Sequence, residues 1–206
     1  MNVQRLRIIK HDEESMKFAV IVVDMLKDTF DGPAEHRFMK AFRAVIPGIR
    51  NLVEEARKLG GLIVYANDSY LPEDFLFRGK MKQSAIRGTC GAEVIDELPI
   101  LDGDVVLPKR RFSAFFKTDL DMTLRTLGID TIAVTGLTTE VCVLSTLLDG
   151  LANDFNSVLI SDCCASRSRD THNAIVAGFS RFPTYPTLRV RTSDEFIREA
   201  RENIII

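Results

Sequence analysis

Short apolar runs alternate with amphipathic stretches along most of this chain. "FAVIVVD" (18–24) is a continuous, β-branched apolar run that ends in an acid, the pattern of a strand covered on both faces. In "AFRAVIPGIRNLVEEARKLGG" (41–61), Phe42, Val45, Ile46, Ile49, Leu52, Val53 and Ala56 recur at helical spacing. Gly60–Gly61 stop that helix, and Pro47 kinks or divides it. The alternation continues with strands at "LIVYAND" (62–68) and "DVVLPK" (104–109), and a helix at "DLDMTLRTLGI" (119–129) that ends at Gly128. A strand at "TIAVTG" (131–136) leads into a helix over roughly 140–153, then a strand at "SVLISD" (157–162) and a helix at "DTHNAIVAGFSRF" (170–182). The last strand is "TLRVRT" (187–192), before a helix at "SDEFIREARE" (193–202) with Ser193 as its expected N-cap.

Six strands alternating with helices predict an α/β fold, a three-layer sandwich around a six-stranded, mostly parallel Rossmann-like sheet. Right-handed crossovers put the carboxyl ends of the strands on one edge. The rhythm breaks over 67–103, which holds no clear strand and only a weak helical pattern near "GAEVIDEL". A long insertion of that kind lines a site, contacts a partner or is a surface loop. The division expected is one domain over 1–206, with an N-terminal extension at 1–16 and the insertion at 67–103.

Composition narrows the classes. At 206 residues with a formal charge of −2, the chain has no basic excess that would suit nucleic acid or an anionic membrane. No apolar run approaches the ~20 residues of a membrane helix. "MNVQRLRIIKHDEES" (1–15) shows no signal-peptide pattern. Four cysteines (Cys90, Cys142, Cys163, Cys164) in a chain of this length do not form a disulfide framework. The expectation is free thiols in a reducing cytoplasm.

Open α/β sheets bind ligands beyond the carboxyl ends of their strands. The residues expected there are Asp24 after the first strand, Lys109 after the third, and Cys142 past "GLTTEV" after the fourth. A thiol attacks as thiolate, which a helix N-terminus and an ammonium both favour. A carboxylate can take its proton and return one to a leaving amine. Free N–H groups around "LTTEVC" could receive an oxyanion. Each residue also has a plainer reading: Asp24 as a cap, Lys109 as a solvated member of "KRR", Cys142 as a small core hydrophobe. Of the histidines, His11 lies in the extension, His36 in a polar loop, and His172 in a helix where packing or capping suits it better than pairing with a cysteine.

"IVVDMLKDTF" (21–30), "LPKRRFSAFFKTDL" (107–120) and "VTGLTTEVCVLST" (134–146) resemble the three blocks of the isochorismatase-like cysteine hydrolases, a superfamily that includes nicotinamidases and N-carbamoylsarcosine amidase. The similarity spans about residues 17–192. It implies Asp24 as base and later acid, Lys109 as the thiolate's cation and Cys142 as nucleophile. It also implies a non-proline cis peptide at Leu137–Thr138, with the Thr138 and Cys142 N–H groups as the oxyanion hole. Nicotinamidases of this superfamily hold a metal through an Asp-x-His motif and a further His. Here "NDSYLPED" (67–74) keeps Asp68 but has Tyr70 in place of the first His, and "SAIRGTCGAE" (84–93) has none. A lone Asp suits a transition metal poorly, with or without Cys90, so no metal and no cofactor is expected.

"DCCASRSRDTH" (162–172) resembles a further block in which an arginine holds a substrate carboxylate; Arg167 matches it, with Arg87 and Arg111 as further candidates. Phe30, Tyr70, Phe112 and Phe115 are the aromatic candidates for pocket walls, although Phe30 and Phe112 also suit the core. The resemblance therefore implies a metal-independent hydrolase of a C–N bond in a small carboxamide or ureido compound. The alternatives are a nicotinamidase, an isochorismatase cleaving a vinyl ether, and a silent binding protein. A homo-oligomer, dimer or tetramer, is also implied, and the apolar end "NIII" (203–206) is the segment expected at an interface or against its own subunit.

Overall fold

The computed structural model describes residues 16–33 and 37–202; His11, His36 and 203–206 lie outside them. The strands are β1 (Phe18–Val23), β2 (Leu62–Asp68), β3 (Val105–Lys109), β4 (Thr131–Leu137), β5 (Asn156–Ala165) and β6 (Leu188–Arg191). They form one sheet in the order β3-β2-β1-β4-β5-β6. Every pairing is parallel, so the sheet is wholly rather than mostly parallel. The chain winds outward from β1 through β2 to β3, then returns to β4 beside β1 and winds the other way. That reversal opens a crevice at the carboxyl ends of β1 and β4, where such sheets bind ligands.

β1 shows why the run had to be apolar throughout. Phe18, Val20 and Val22 join the core beneath α3 (Ile46–Lys58) and α7 (Ser193–Arg201). Ala19, Ile21 and Val23 join the opposite core with α4 (Leu120–Thr126) and α5 (Leu144–Ala152). Each fully buried Val or Ile contributes about 1.5–3 kcal/mol relative to exposure, so β1 anchors both layers. The close approach of β4 needs Gly136: at φ 107 its added Cβ would lie 2.2 Å from the Val23 carbonyl oxygen.

The structure settles the break at Pro47, moves the cap of α7 and adds one short helix. Pro47 divides the long helix without kinking it. α2 (Arg37–Ala44) ends first, and the proline then falls in the first turn of α3, where its missing N–H has no partner to lose. The N-cap of α7 is Thr192, not Ser193. Thr192 exchanges hydrogen bonds with Glu195 in a capping box, while the Ser193 N–H and hydroxyl both donate to Asp162 at 2.7 Å. A short helix, α1 (Lys27–Phe30), follows β1 unannounced by any periodicity.

Past Asp68 the insertion is irregular, with 3-10 turns at Phe75–Arg78 and Cys90–Ala92 replacing the helix expected near "GAEVIDEL". Isolated bridges pair Tyr70 with Ile86 and Leu26 with Val94, so the insertion folds back beside the end of β1. α6 (Arg169–Phe179) completes the helices. Among the described residues, no helix is long and apolar enough to cross a membrane, and all four cysteines are free.

Candidate active site

The three strands on one side of the reversal each end in a charged residue, and the parallel register brings the three together. Asp24, just past β1, is held at φ 53 with its N–H on the Ala66 carbonyl at 3.0 Å. A left-handed conformation costs a non-glycine residue about 1–2 kcal/mol, a strain that accumulates at functional positions. Asp24 Oδ1 accepts the Asp68 N–H at 2.8 Å, and Oδ2 accepts Lys109 Nζ at 2.9 Å. Lys109 also donates to Asp68 Oδ1 at 2.5 Å and is 0% exposed. Burial works against its charge, yet the carboxylates of Asp24 and Asp68 raise its pKa above the usual lysine range. Lys109 is therefore a buried, paired cation and not a solvated member of "KRR".

Cys142 enters from β4. After Leu137, whose peptide bond to Thr138 is cis, the backbone forms a π-helical turn over Thr139–Val143 and runs into α5. Sγ and one carboxylate oxygen each of Asp24 and Asp68 lie within 4.8 Å of one another. The expectation of a depressed thiol pKa is not met. Burial pushes it well above the usual range, the Asp24 charge adds to that, and Lys109 opposes without prevailing. The resting group is a neutral thiol with a carboxylate beside it to take its proton.

A cavity of about 320 Å³ opens over these groups, walled by Phe42, Met81, Phe112, Glu140 and Arg167. Phe112 and Arg167 thus line this cavity, whereas Tyr70 lies behind its wall, fully buried with its ring edge-on to Phe77 at 5.4 Å. Phe30 and Phe115 do not line it. Phe30 is buried in the α3-side core with the Arg43 guanidinium over its ring, and Phe115 packs against Phe155 at 5.8 Å. Arg87 and Arg111 line a separate depression, donating to Ser69 and Asp74. His172 makes a 2.9 Å hydrogen bond with the Thr139 hydroxyl, bracing the π-turn and not pairing with Cys142. Glu140 accepts from Ser166 at 2.5 Å.

Sequence reasoning missed Asp68 as a member of the charged cluster, having weighed it only as a metal ligand. The available signal was its place at the end of β2, equivalent to that of Asp24 on β1. Its carboxyl is pushed up to about 7, by burial first and by the charge of Asp24 second. The residues do not fit a transition metal. Asp24, Asp68 and Cys142 include no imidazole, and the Lys109 ammonium already bonds both carboxylates. Cys90 is exposed and lies outside the cluster.

The Isochorismatase domain model matches residues 18–189. The chain belongs to the isochorismatase family. It is 31% identical over 163 residues to the uncharacterised isochorismatase family protein YwoC of Bacillus subtilis, covering 76% of this chain and 84% of that one. It is 32% identical over 166 residues to a probable inactive nicotinamidase of Arabidopsis thaliana, with the same coverage. Among solved structures, N-carbamoylsarcosine amidase from Thermoplasma acidophilum superposes with a TM-score of 0.76 at 33% identity, covering 87% of this chain and 98% of that one. For an isochorismatase-family chain, the crevice at β1 and β4 is the place to look for chemistry.

Proposed function

We propose that this isochorismatase-family protein is a cysteine hydrolase that cleaves a C–N bond in a small carboxamide or ureido compound, with Asp24, Lys109 and Cys142 as its working residues. The observation that carries this reading is the buried cluster itself: a thiol within 4.8 Å of carboxylate oxygens that share one buried ammonium. Asp24 takes the thiol proton as Sγ attacks the carbonyl carbon. Lys109 offsets the negative charge gathered there. The Thr138 and Cys142 N–H groups receive the oxyanion. Collapse expels the nitrogen, which leaves protonated, and water then hydrolyses the thioester. No step requires a metal or cofactor.

Arg167 on the cavity wall supports a substrate bearing a carboxylate, and half-exposed Phe112 supplies a flat contact. The likeness to N-carbamoylsarcosine amidase agrees with an acidic ureido compound. The working form is taken to be a cytoplasmic homo-oligomer, dimer or tetramer.

The test is ammonia release from nicotinamide, N-carbamoylsarcosine, other N-carbamoyl amino acids, ureidoacrylate, biuret and maleamate, by wild type and Cys142→Ala, with and without EDTA. Cysteine-dependent, chelator-insensitive turnover of an acidic ureido or amide compound is expected. Chelator-sensitive release from nicotinamide would overturn the metal-free reading.

A further inference from the structure

Two carboxylates share one ammonium in this site. Asp24 at the end of β1 and Asp68 at the end of β2 both bond Lys109 Nζ, which is wholly buried. One cation in a low-dielectric site balances one anion, so a second carboxylate there holds its proton. Asp24 is the better seat for the charge, because its two oxygens accept from the Asp68 N–H and from Lys109. Cys142 beside Asp68 is a thiol. The buried Tyr70 hydroxyl, which has no hydrogen-bond partner within ordinary geometry among the described residues, and Lys109 favour ionised Asp68, but burial and the Asp24 charge outweigh them. Glu140 and Arg167 line the same cavity with opposite charges. Asp68 also faces the reaction space, because it lines the cavity beside Cys142.

Resting on the hydrolase reading above, we propose that Asp68 is a second catalytic carboxyl group, the general acid that protonates the leaving nitrogen while Asp24 serves the thiol. The duties that the family resemblance implies for Asp24 alone are then divided. The thiol proton moves to the Asp24 carboxylate as the C–S bond forms. The C–N bond breaks with its electron pair on nitrogen, which takes the Asp68 proton. Water next attacks the thioester and gives its proton to the Asp68 carboxylate. The C–S bond breaks, and the sulfur recovers its proton from Asp24. Both carboxyl groups end as they began. Pairs of carboxyl groups whose environments separate their affinities for a proton divide acid and base work in this way. The lift of Asp68 to about 7 agrees with a group still half protonated at neutral pH.

The experiment compares wild type and Asp68→Asn on a carboxamide and on the p-nitrophenyl ester of the same acid, with Cys142→Ala as baseline. An amine must be protonated to leave, whereas p-nitrophenolate leaves unaided. General acid catalysis contributes about 10²–10⁴-fold, so Asp68→Asn is expected to lose at least about a hundredfold in kcat/KM on the amide and only a few-fold on the ester. The wild-type amide profile is expected to fall as pH rises past neutrality, and the variant to lack that limb. Equal losses on both substrates, or an undiminished amide rate, would overturn the assignment while leaving the hydrolase intact. Absence of cysteine-dependent turnover in the wild type would instead overturn the hydrolase reading and this one with it. Carboxyl ¹³C NMR of wild type labelled at aspartate adds a test that needs no variant to fold. A carboxylic acid at Asp68 near pH 6 is expected, and ionisation from about pH 5 upward refutes the proposal.

Discussion

Replacing Lys109 by methionine probes the charge balance on which the site depends. The substitution keeps most of the side-chain volume and removes the ammonium that lies 2.9 Å from Asp24 and 2.5 Å from Asp68. Removing one partner of a buried pair costs about 3–5 kcal/mol, because the charge left behind has neither solvent nor counter-ion. In a chain of this size each kcal/mol moves Tm by about 2–4 °C, so the variant is expected to melt roughly 6–20 °C lower near pH 8. The deficit depends on pH with a definite sign. Without the ammonium, Asp68 binds its proton still more tightly folded than unfolded. Stability is then greatest below the unfolded carboxyl range and falls as pH rises through the folded one. Asp68 already titrates in that sense, raised from 3.8 to about 7 with Lys109 present. The variant should therefore approach wild type near pH 4 and diverge from it up to and beyond neutrality. Calorimetric melts from pH 4 to 8 measure this directly. A deficit that is constant with pH, or below about 1 kcal/mol throughout, would refute the argument that Lys109 is a buried, charged keystone.

Other outcomes follow from particular contacts. Iodoacetamide is expected to modify exposed Cys90 first, with Cys142 slow at pH 7 because burial and Asp24 hold it as a thiol; peptide mass spectrometry gives the order. Gly136→Ala places a Cβ 2.2 Å from the Val23 carbonyl oxygen at φ 107, so the variant is expected to lose about 3 kcal/mol or more, or to fail to fold, as circular dichroism will show. Thr192→Ala breaks the capping box of α7 and should cost about 1 kcal/mol in urea unfolding.

The sheet was legible because parallel strands buried on both faces must be continuously apolar. β1 carries that mark in every residue, and β4, buried throughout, carries it apart from Thr131, Thr135 and Gly136. The positions of Asp24, Lys109 and Cys142 followed from the one-edge rule for strand ends. Boundaries were less legible where side chains rather than periodicity decide them: Asp162 claims Ser193 and so leaves the cap of α7 to Thr192. The insertion was opaque because it has no repeating pattern, its order coming from isolated bridges and a small core of Leu26, Tyr70 and Ala85. Phe30 and Phe115 were misplaced because an aromatic residue near a motif can face either core or cavity, and spacing does not say which. The thiol's pKa was misjudged for a different reason. Helix and lysine effects are visible in sequence, but the desolvation and the Asp24 charge that outweigh them exist only after folding.

Catalysis by Cys142 is expected to pass through a covalent thioester. Rapid mixing with a substrate that is turned over, acid quench and intact-mass analysis test it most directly. A mass increase equal to the acyl group is expected, mapped to the peptide carrying Cys142 and absent in Cys142→Ala. Undiminished turnover by Cys142→Ala, with no adduct in the wild type, would contradict it.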